Sequence, residues 1–342
     1  MMLATLCEAP RLVKDDPYGS IMEPMEELFR GYAGYLRAKY GAPAYRVAVD
    51  AGFGCPNRGP DRGRPGCLYC DEHGARAPYQ DADVLPAEGT EGRLEDIRRQ
   101  VERGVGFLRR RYGAQVFLLY LQAFSGTHAP AAELARIYDY ALGCGEFREL
   151  IVSTRPDCVD AERAELLAGY RRRGLEVWVE LGLQSACDAT LARVRRGHTV
   201  ADFTRAFRLL RASGVKLAVH LIFGLPEEGL ERILDTVRFV AGLEPEGVKI
   251  HNLHVPRGSP LAAEHRAGEL IPPCAPRHLE YVVRALELLP PQTLILRLTC
   301  DTPGERLAAP RGFPPKSAFY RAVRGSLAAC GSRQGLRWEA HR

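Results

Sequence analysis

VFLLYL (Val116–Leu121) is near-continuously apolar, without the alternation of a half-buried strand and too short for a helix of its own. Such a run reads as a strand covered on both faces, as in a parallel sheet sandwiched by helices. The pattern recurs on both sides of it. YRVAVD (Tyr45–Asp50) precedes it, and LIVS (Leu150–Ser153), EVWVEL (Glu176–Leu181), KLAVHLI (Lys216–Ile222), GVKIHNL (Gly247–Leu253) and LILRL (Leu294–Leu298) follow. From Val116 to Gly247 the starts lie 34, 26, 40 and 31 residues apart, close to the βαβ unit of roughly 30 residues. Helical stretches fill the gaps: Leu94–Tyr112, Ala131–Leu142, Ala161–Arg173, Ala201–Ala212 and Glu231–Ala241. Several end at a glycine (Gly113, Gly174, Gly214), where a left-handed residue closes the last turn. A repeating β/α pattern with right-handed crossovers predicts a barrel or an open doubly wound sheet.

One interval breaks the rhythm. From Tyr45 to Val116 is 71 residues, and it holds a Gly/Pro/Cys-rich loop, Gly52 to Pro78, far too long for an ordinary βα connection. In β/α proteins the long loops after strands carry the chemistry. Around this loop the composition is ordinary: 46% hydrophobic and 26% charged residues in 342, which excludes disorder and collagen-like repeats. Ten cysteines are too dilute for a disulfide scaffold. The start, MMLATLCEAPRLVKDD, lacks the basic and apolar regions of a secretion signal, and no run is apolar enough to span a membrane. A cytoplasmic protein is expected. The net charge of +5 is built almost wholly from arginine, since only five of the 47 basic residues are lysines. A GC-rich genome accounts for this; so does a phosphate-binding surface, with Arg109–Arg111, Arg171–Arg173 and Arg193/Arg195/Arg196 as its candidates.

Within the loop, DAGFGCPNRGPDRGRPGCLYC sets Cys67 and Cys70 two residues apart, with Cys55 reaching back across a bendable Gly/Pro segment. Three readings are open. The grouping is accidental; or it is a zinc site with His73 as fourth ligand, at acceptable Cys70–His73 spacing; or three thiolates hold an iron–sulfur cluster and leave one iron open. Lys249 and His251 share one face of a strand, and a lysine is rarely buried there without a task, so both are candidate catalytic contacts. Glu180, if inside a barrel, needs an arginine or a ligand as partner, and Arg196 is a candidate for that pairing or for binding a ligand carboxylate.

The cysteine segment resembles the cluster loop of the YhcC-type radical S-adenosylmethionine (SAM) family, which is related to the radical-SAM part of the elongator catalytic subunit. Further matching segments follow in order: YLQAFSGTHAP (Tyr120–Pro130), STRPDCV (Ser153–Val159), ELGLQS (Glu180–Ser185) and RRGH (Arg195–His198). VHLIFGLPEE (Val219–Glu228), KIHNLHVPRGSPL (Lys249–Leu261) and RLTCDTP (Arg297–Pro303) complete them, the last with Cys300 where the family suggests glycine. The resemblance implies a partial (β/α)6 TIM-like barrel over residues 28–262 with a C-terminal extension over 263–342; segment 1–27 shows no clear periodicity, and Met22 or Met25 is a candidate start. It implies a 4Fe–4S cluster on Cys55, Cys67 and Cys70, with SAM on the fourth iron and cleaved to a 5′-deoxyadenosyl radical. Tyr69 would face the adenine and Gln122 the SAM amine. Ser153 and Thr154 would reach the ribose, although capping the next helix is an equal use for them. Glu180, Gln184 and Arg196 would line the SAM site, with Gly224 and Leu225 bordering the adenine. The elongator relationship points to the wobble-uridine side chain of tRNA as substrate, with a flavodoxin- or ferredoxin-type electron donor. A small-molecule substrate and a non-catalytic, zinc-stabilised RNA-binding protein are the alternatives.

Overall fold

The computed structural model of the chain describes residues 28–59, 63, 64, 66–70, 79, 80, 89–300 and 302–340. The segment 1–27, His73 and Asp301 lie outside the described residues. The strands are β1 Ala44–Val49, β2 Val116–Leu121, β3 Phe147–Thr154, β4 Glu176–Gln184, β5 Lys216–Phe223, β6 Gly247–Asn252, β7 Val255–Pro256, β8 Leu294–Arg297 and β9 Leu307–Ala309. The helices are α1 Tyr32–Tyr40, α2 Gly89–Tyr112, α3 Ala131–Gly143, α4 Ala161–Arg172, α5 Asp188–Arg193, α6 Val200–Ala212, α7 Leu230–Leu243, α8 Leu261–Arg266, α9 Ala275–Leu288 and α10 Lys316–Ala329. All seven apolar runs become strands of one parallel sheet, in the order β1-β2-β3-β4-β5-β6-β8, curled into a half-barrel. The first six strands make the expected β/α half-barrel. β8, from the C-terminal extension, adds a seventh by pairing Gly247 with Leu294 and Lys249 with Arg297.

Side chains alternate along each strand, so one parity faces the helices and the other faces the hollow of the barrel. Val47, Leu119, Val152, Val179 and Val219 belong to the core beneath the outer helices. Leu118, Ile151, Trp178 and Ala218 face inward and form a second apolar cluster with Tyr32 and Leu36 of α1. Gly31, just before α1, bridges to Ile295 of β8, which lays the helix across the hollow. Inward residues run in layers: Glu149, Glu176 and Lys216 come first, then the apolar Ile151, Trp178 and Ala218, then Ser153, Glu180 and His220. The hollow therefore has a charged floor at the strand starts, an apolar layer above it and a polar mouth at the strand ends. The long β1–α2 loop opens onto that mouth.

Candidate active site

The cysteine loop is anchored to the mouth by its backbone. The Leu68 amide donates to Val194 O (3.1 Å) and the Leu261 amide to Leu68 O (3.1 Å). Leu68 itself packs with Val194, Leu225, Leu253 and Leu261, so the predicted adenine neighbour Leu225 is also part of the loop's seat. Asn57 ties the loop down from the other side. Its Nδ2 donates to Arg195 O (2.8 Å) and Arg196 O (3.1 Å) and lies 3.2 Å from Cys67 Sγ. Gly197 lets it do so, because a Cβ there would stand 2.6 Å from Asn57 Oδ1 and φ is +78°.

Cys55 and Cys67 are buried and Cys70 is half-buried, all as free thiols. Arg196 Nη1 lies 3.7 Å and Arg155 Nη1 3.8 Å from Cys67 Sγ. Burial works against ionisation of the Cys67 thiol, yet these two guanidinium groups hold it below its ordinary value. A buried thiol held toward ionisation by two guanidinium groups has the chemistry of a metal or cluster ligand. Among the described residues no three His, Cys, Asp or Glu side chains converge on a single ion. A cluster takes one thiolate per iron and needs no such convergence.

Arg196 donates through Nη2 to Gly182 O (3.0 Å) and through Nε to His198 Nε2 (3.0 Å). Gly182 makes this approach possible, since a Cβ would lie 2.6 Å from Arg196 Nη2. Burial and the Arg196 charge push His198 down to about 4, so it accepts as a neutral ring. The expected pairing of Arg196 with Glu180 is thus corrected: Arg196 lies above the strand end, at the thiols. Glu180 instead pairs with Arg46 Nη1 (2.5 Å) of β1 and Lys249 Nζ (2.9 Å) of β6. It also accepts from Tyr120 Oη (2.5 Å) and His220 Nε2 (2.7 Å). Although burial disfavours its charge, Lys249, Arg46 and His220 hold the Glu180 carboxyl well below the usual range.

The other predicted residues divide by side-chain direction. Ser153 pairs in register with Glu180 and faces the hollow. The Thr154 hydroxyl is buried and already bonded to Ser125 Oγ (2.8 Å) and Thr127 Oγ1 (2.5 Å). Gln122 stands half-buried at the end of β2, its amide held by Val49 O (3.1 Å). Tyr69 packs at the edge of the Leu68 cluster with Oη buried and without a hydrogen-bond partner. Positive φ angles gather at this mouth: Ala123, Phe124, Gln184, Arg195 and Gly224. Strain of this kind persists where surrounding structure over-determines it, commonly at binding sites. Lys249 and His251 face the hollow together, with the His251 and His220 ring centroids 5.9 Å apart. Asn57, Arg155 and Arg46 escaped the sequence reading, although Arg155 lies inside the quoted STRPDCV segment and Asn57 two residues beyond Cys55.

The model of the Radical SAM superfamily matches residues 51–240, and that of the Radical_SAM C-terminal domain matches 245–329. The chain belongs to the radical SAM superfamily. Within it, this radical SAM enzyme is 34% identical over 289 residues to Protein YhcC of Escherichia coli, covering 84% of this chain and 88% of that one. It is 31% identical over 313 residues to Uncharacterized protein MJ0486 of Methanocaldococcus jannaschii, covering 91% and 92%. The fold is similar to that of the archaeal Methanocaldococcus infernus Elp3, with a TM-score of 0.60 at 21% identity over 70% of this chain and 60% of that one. Radical SAM membership implies a 4Fe–4S cluster and SAM, and it favours the cluster over the other two readings of the cysteines. The donor set fits such a cluster: three thiols at the mouth, none in a disulfide, one held toward thiolate, with the Tyr69 hydroxyl unpartnered beside them.

Proposed function

We propose that this radical SAM enzyme modifies the wobble-uridine side chain of tRNA in the cytoplasm, drawing electrons from a flavodoxin- or ferredoxin-type donor. The observation that carries the reading is where the unpaired arginines lie. Arg64 on the cysteine loop, Arg195 beside Arg196 and Arg257 after β7 are exposed at the mouth. Among the described residues none of the three has an acidic partner. Glu227 and Glu264 are occupied by Arg193, and Asp157 by Arg155. A polyanion needs such a rim, because phosphate contacts supply most of its sequence-independent affinity. The elongator resemblance supplies the nucleoside.

Cys55, Cys67 and Cys70 would hold the cluster, and Arg196, Arg155 and Asn57 hold the Cys67 thiol toward its ionised form and keep the loop seated. When bound, the cluster and SAM supply a one-electron C5′–S cleavage that delivers a 5′-deoxyadenosyl radical. The chain's own work is to exclude water with the seated loop and to hold the target C–H over the polar hollow.

The test is anaerobic reconstitution with iron and sulfide, then dithionite and SAM, with 5′-deoxyadenosine followed by mass spectrometry. tRNA from a strain lacking the gene is then compared with rRNA of equal mass. Turnover raised by the tRNA alone, with a new nucleoside mass at the wobble position, is the expected result. Equal turnover with either RNA, or tRNA binding that does not weaken with salt, overturns the tRNA assignment.

A further inference from the structure

The polar layer of the hollow carries more positive charge than its own acid can balance. Among the described residues Glu180 is the fully buried carboxylate of this layer, and Arg46 already pairs with it at 2.5 Å. Lys249 shares that carboxylate at 2.9 Å, while Arg297 has no acidic partner among the described residues. They are register partners on adjacent strands β6 and β8, so both project on the same face. The Arg297 charge acts on Tyr120, His220, Lys249 and His251, which places its guanidinium toward the hollow. Two like charges side by side in a low-dielectric space are costly unless an anion joins them. A second, independent feature marks the same spot. His251 Nε2 is buried with no hydrogen-bond partner. A buried ring nitrogen left unpaired calls for a partner that the described residues do not supply.

We propose that Lys249, His251 and Arg297 form an oxyanion subsite in the hollow beneath the cysteine loop, which holds a carboxylate or phosphate group of the substrate. The subsite deepens the reading above, since it rests on the hollow being the substrate chamber. A charge held here fixes the substrate from below, so that its opposite end meets the mouth. Lys249 donates at present to Glu180 and to Tyr120 Oη, both at 2.9 Å. It can turn one of its three N–H groups to an incoming oxygen without abandoning both. Arg297 is half-exposed to the hollow and offers a planar fork that matches either anion.

The experiment uses the full, anaerobically reconstituted protein and reads its thermal midpoint against added anion at constant ionic strength, with chloride as the control. Inorganic phosphate and malonate are the two probes, and they separate a nucleotide phosphate from a small carboxylic acid as the source of the group. One of them should raise the midpoint saturably, as a ligand of the native state must. Arg297→Gln should weaken that probe's apparent affinity about tenfold or more, the loss of a charged hydrogen bond. Arg297→Lys, which keeps charge but not the fork, should fall between. Lys249→Met gives a second variant should the first melt abnormally. An equal midpoint shift in Arg297→Gln and wild type, or no shift beyond chloride with either probe, overturns the subsite. SAM cleavage is measured on the same samples, and its loss in the wild type would instead sink the radical reading.

Discussion

The floor and the mouth of the half-barrel both bury charge, but only the floor balances it. At the floor Glu149 is fully buried and accepts from Lys39 Nζ and Tyr40 Oη, both at 2.6 Å. Lys39 also pairs with Glu176 (2.7 Å), and Glu176 with Lys216 (2.9 Å). Two acids meet two bases, closed over by α1. Above them, Arg46, Lys249 and Arg297 face Glu180, while Arg155 and Arg196 face a thiol. The floor is a satisfied network and can serve the fold alone. The mouth carries unmet donors and backbone strain, which a ligand is required to justify.

The largest effect expected from this contrast is at the mouth and is functional. Cys67→Ala should abolish iron binding and 5′-deoxyadenosine formation together. In the unloaded protein it should move the thermal midpoint by only about 3 °C, the cost of one small buried side chain. Retained SAM cleavage in Cys67→Ala breaks the assignment of the loop. The next effect is at the floor and is structural. Glu149→Ala strands Tyr40 and removes one of the two acids on Lys39, and should cost about 3 kcal/mol in denaturant unfolding. Once the protein is reconstituted and folded, SAM cleavage should persist. Lost cleavage in a folded Glu149→Ala protein would mean that floor and mouth are not separable.

That contrast was only half legible in the sequence. Strand positions were, because doubly covered strands are apolar throughout, and VFLLYL emerged with its bounds unchanged as β2. The cysteines were legible because spacing within one loop is local. Partner choice across the hollow was not. Glu180 is joined by Arg46, 134 residues earlier, and nothing along the chain distinguishes Arg46 from Arg196 as that partner. Nor does sequence reveal that Thr154 spends its hydroxyl on Ser125 and Thr127, since the same residue type suits a ribose contact. The fate of a polar side chain depends on which neighbour reaches it first, and that is settled by register and loop path.

Proton linkage sharpens the comparison further. Burial, with Arg297 and Arg46 adding to it against the pull of Glu180, brings Lys249 down to about 7. The unfolded chain keeps that proton up to about pH 10.4. Between those values the unfolded state binds more protons, so the Lys249 contribution makes stability rise with pH through this window. Its penalty is present in full below pH 7. Tyr120, Glu180, His220, His251, Arg46 and Arg297 surround it, and burial keeps His220 near 4, so the imidazole does not titrate in this window. Lys249→Met should flatten the rise of stability between pH 7 and 9, measured by urea unfolding. An unchanged slope would remove Lys249 as its source.

The smallest effect concerns arginines on the outer surface, and it separates two uses of one residue type. Arg109–Arg111 end α2 and Arg171 and Arg172 end α4, each just before its next strand begins. Those helices run antiparallel to the strands, so both clusters sit at the floor end, away from the thiols. Cations in a last turn complement the helix dipole, and several here are also spent on neighbours: Arg109 over Phe117, Arg173 on Asp139, Arg172 on Glu165. Arg195 and Arg257 stand at the mouth with no such occupation. If tRNA enters at the mouth, Arg195→Gln and Arg257→Gln should each weaken binding severalfold and reduce the slope of log affinity against log salt by about 1. Arg110→Gln and Arg171→Gln should leave both within error, because their charge faces solvent at the far end. Equal losses at both ends would mean that the polyanion wraps the barrel, and the mouth would then lose its claim to be the site of recognition.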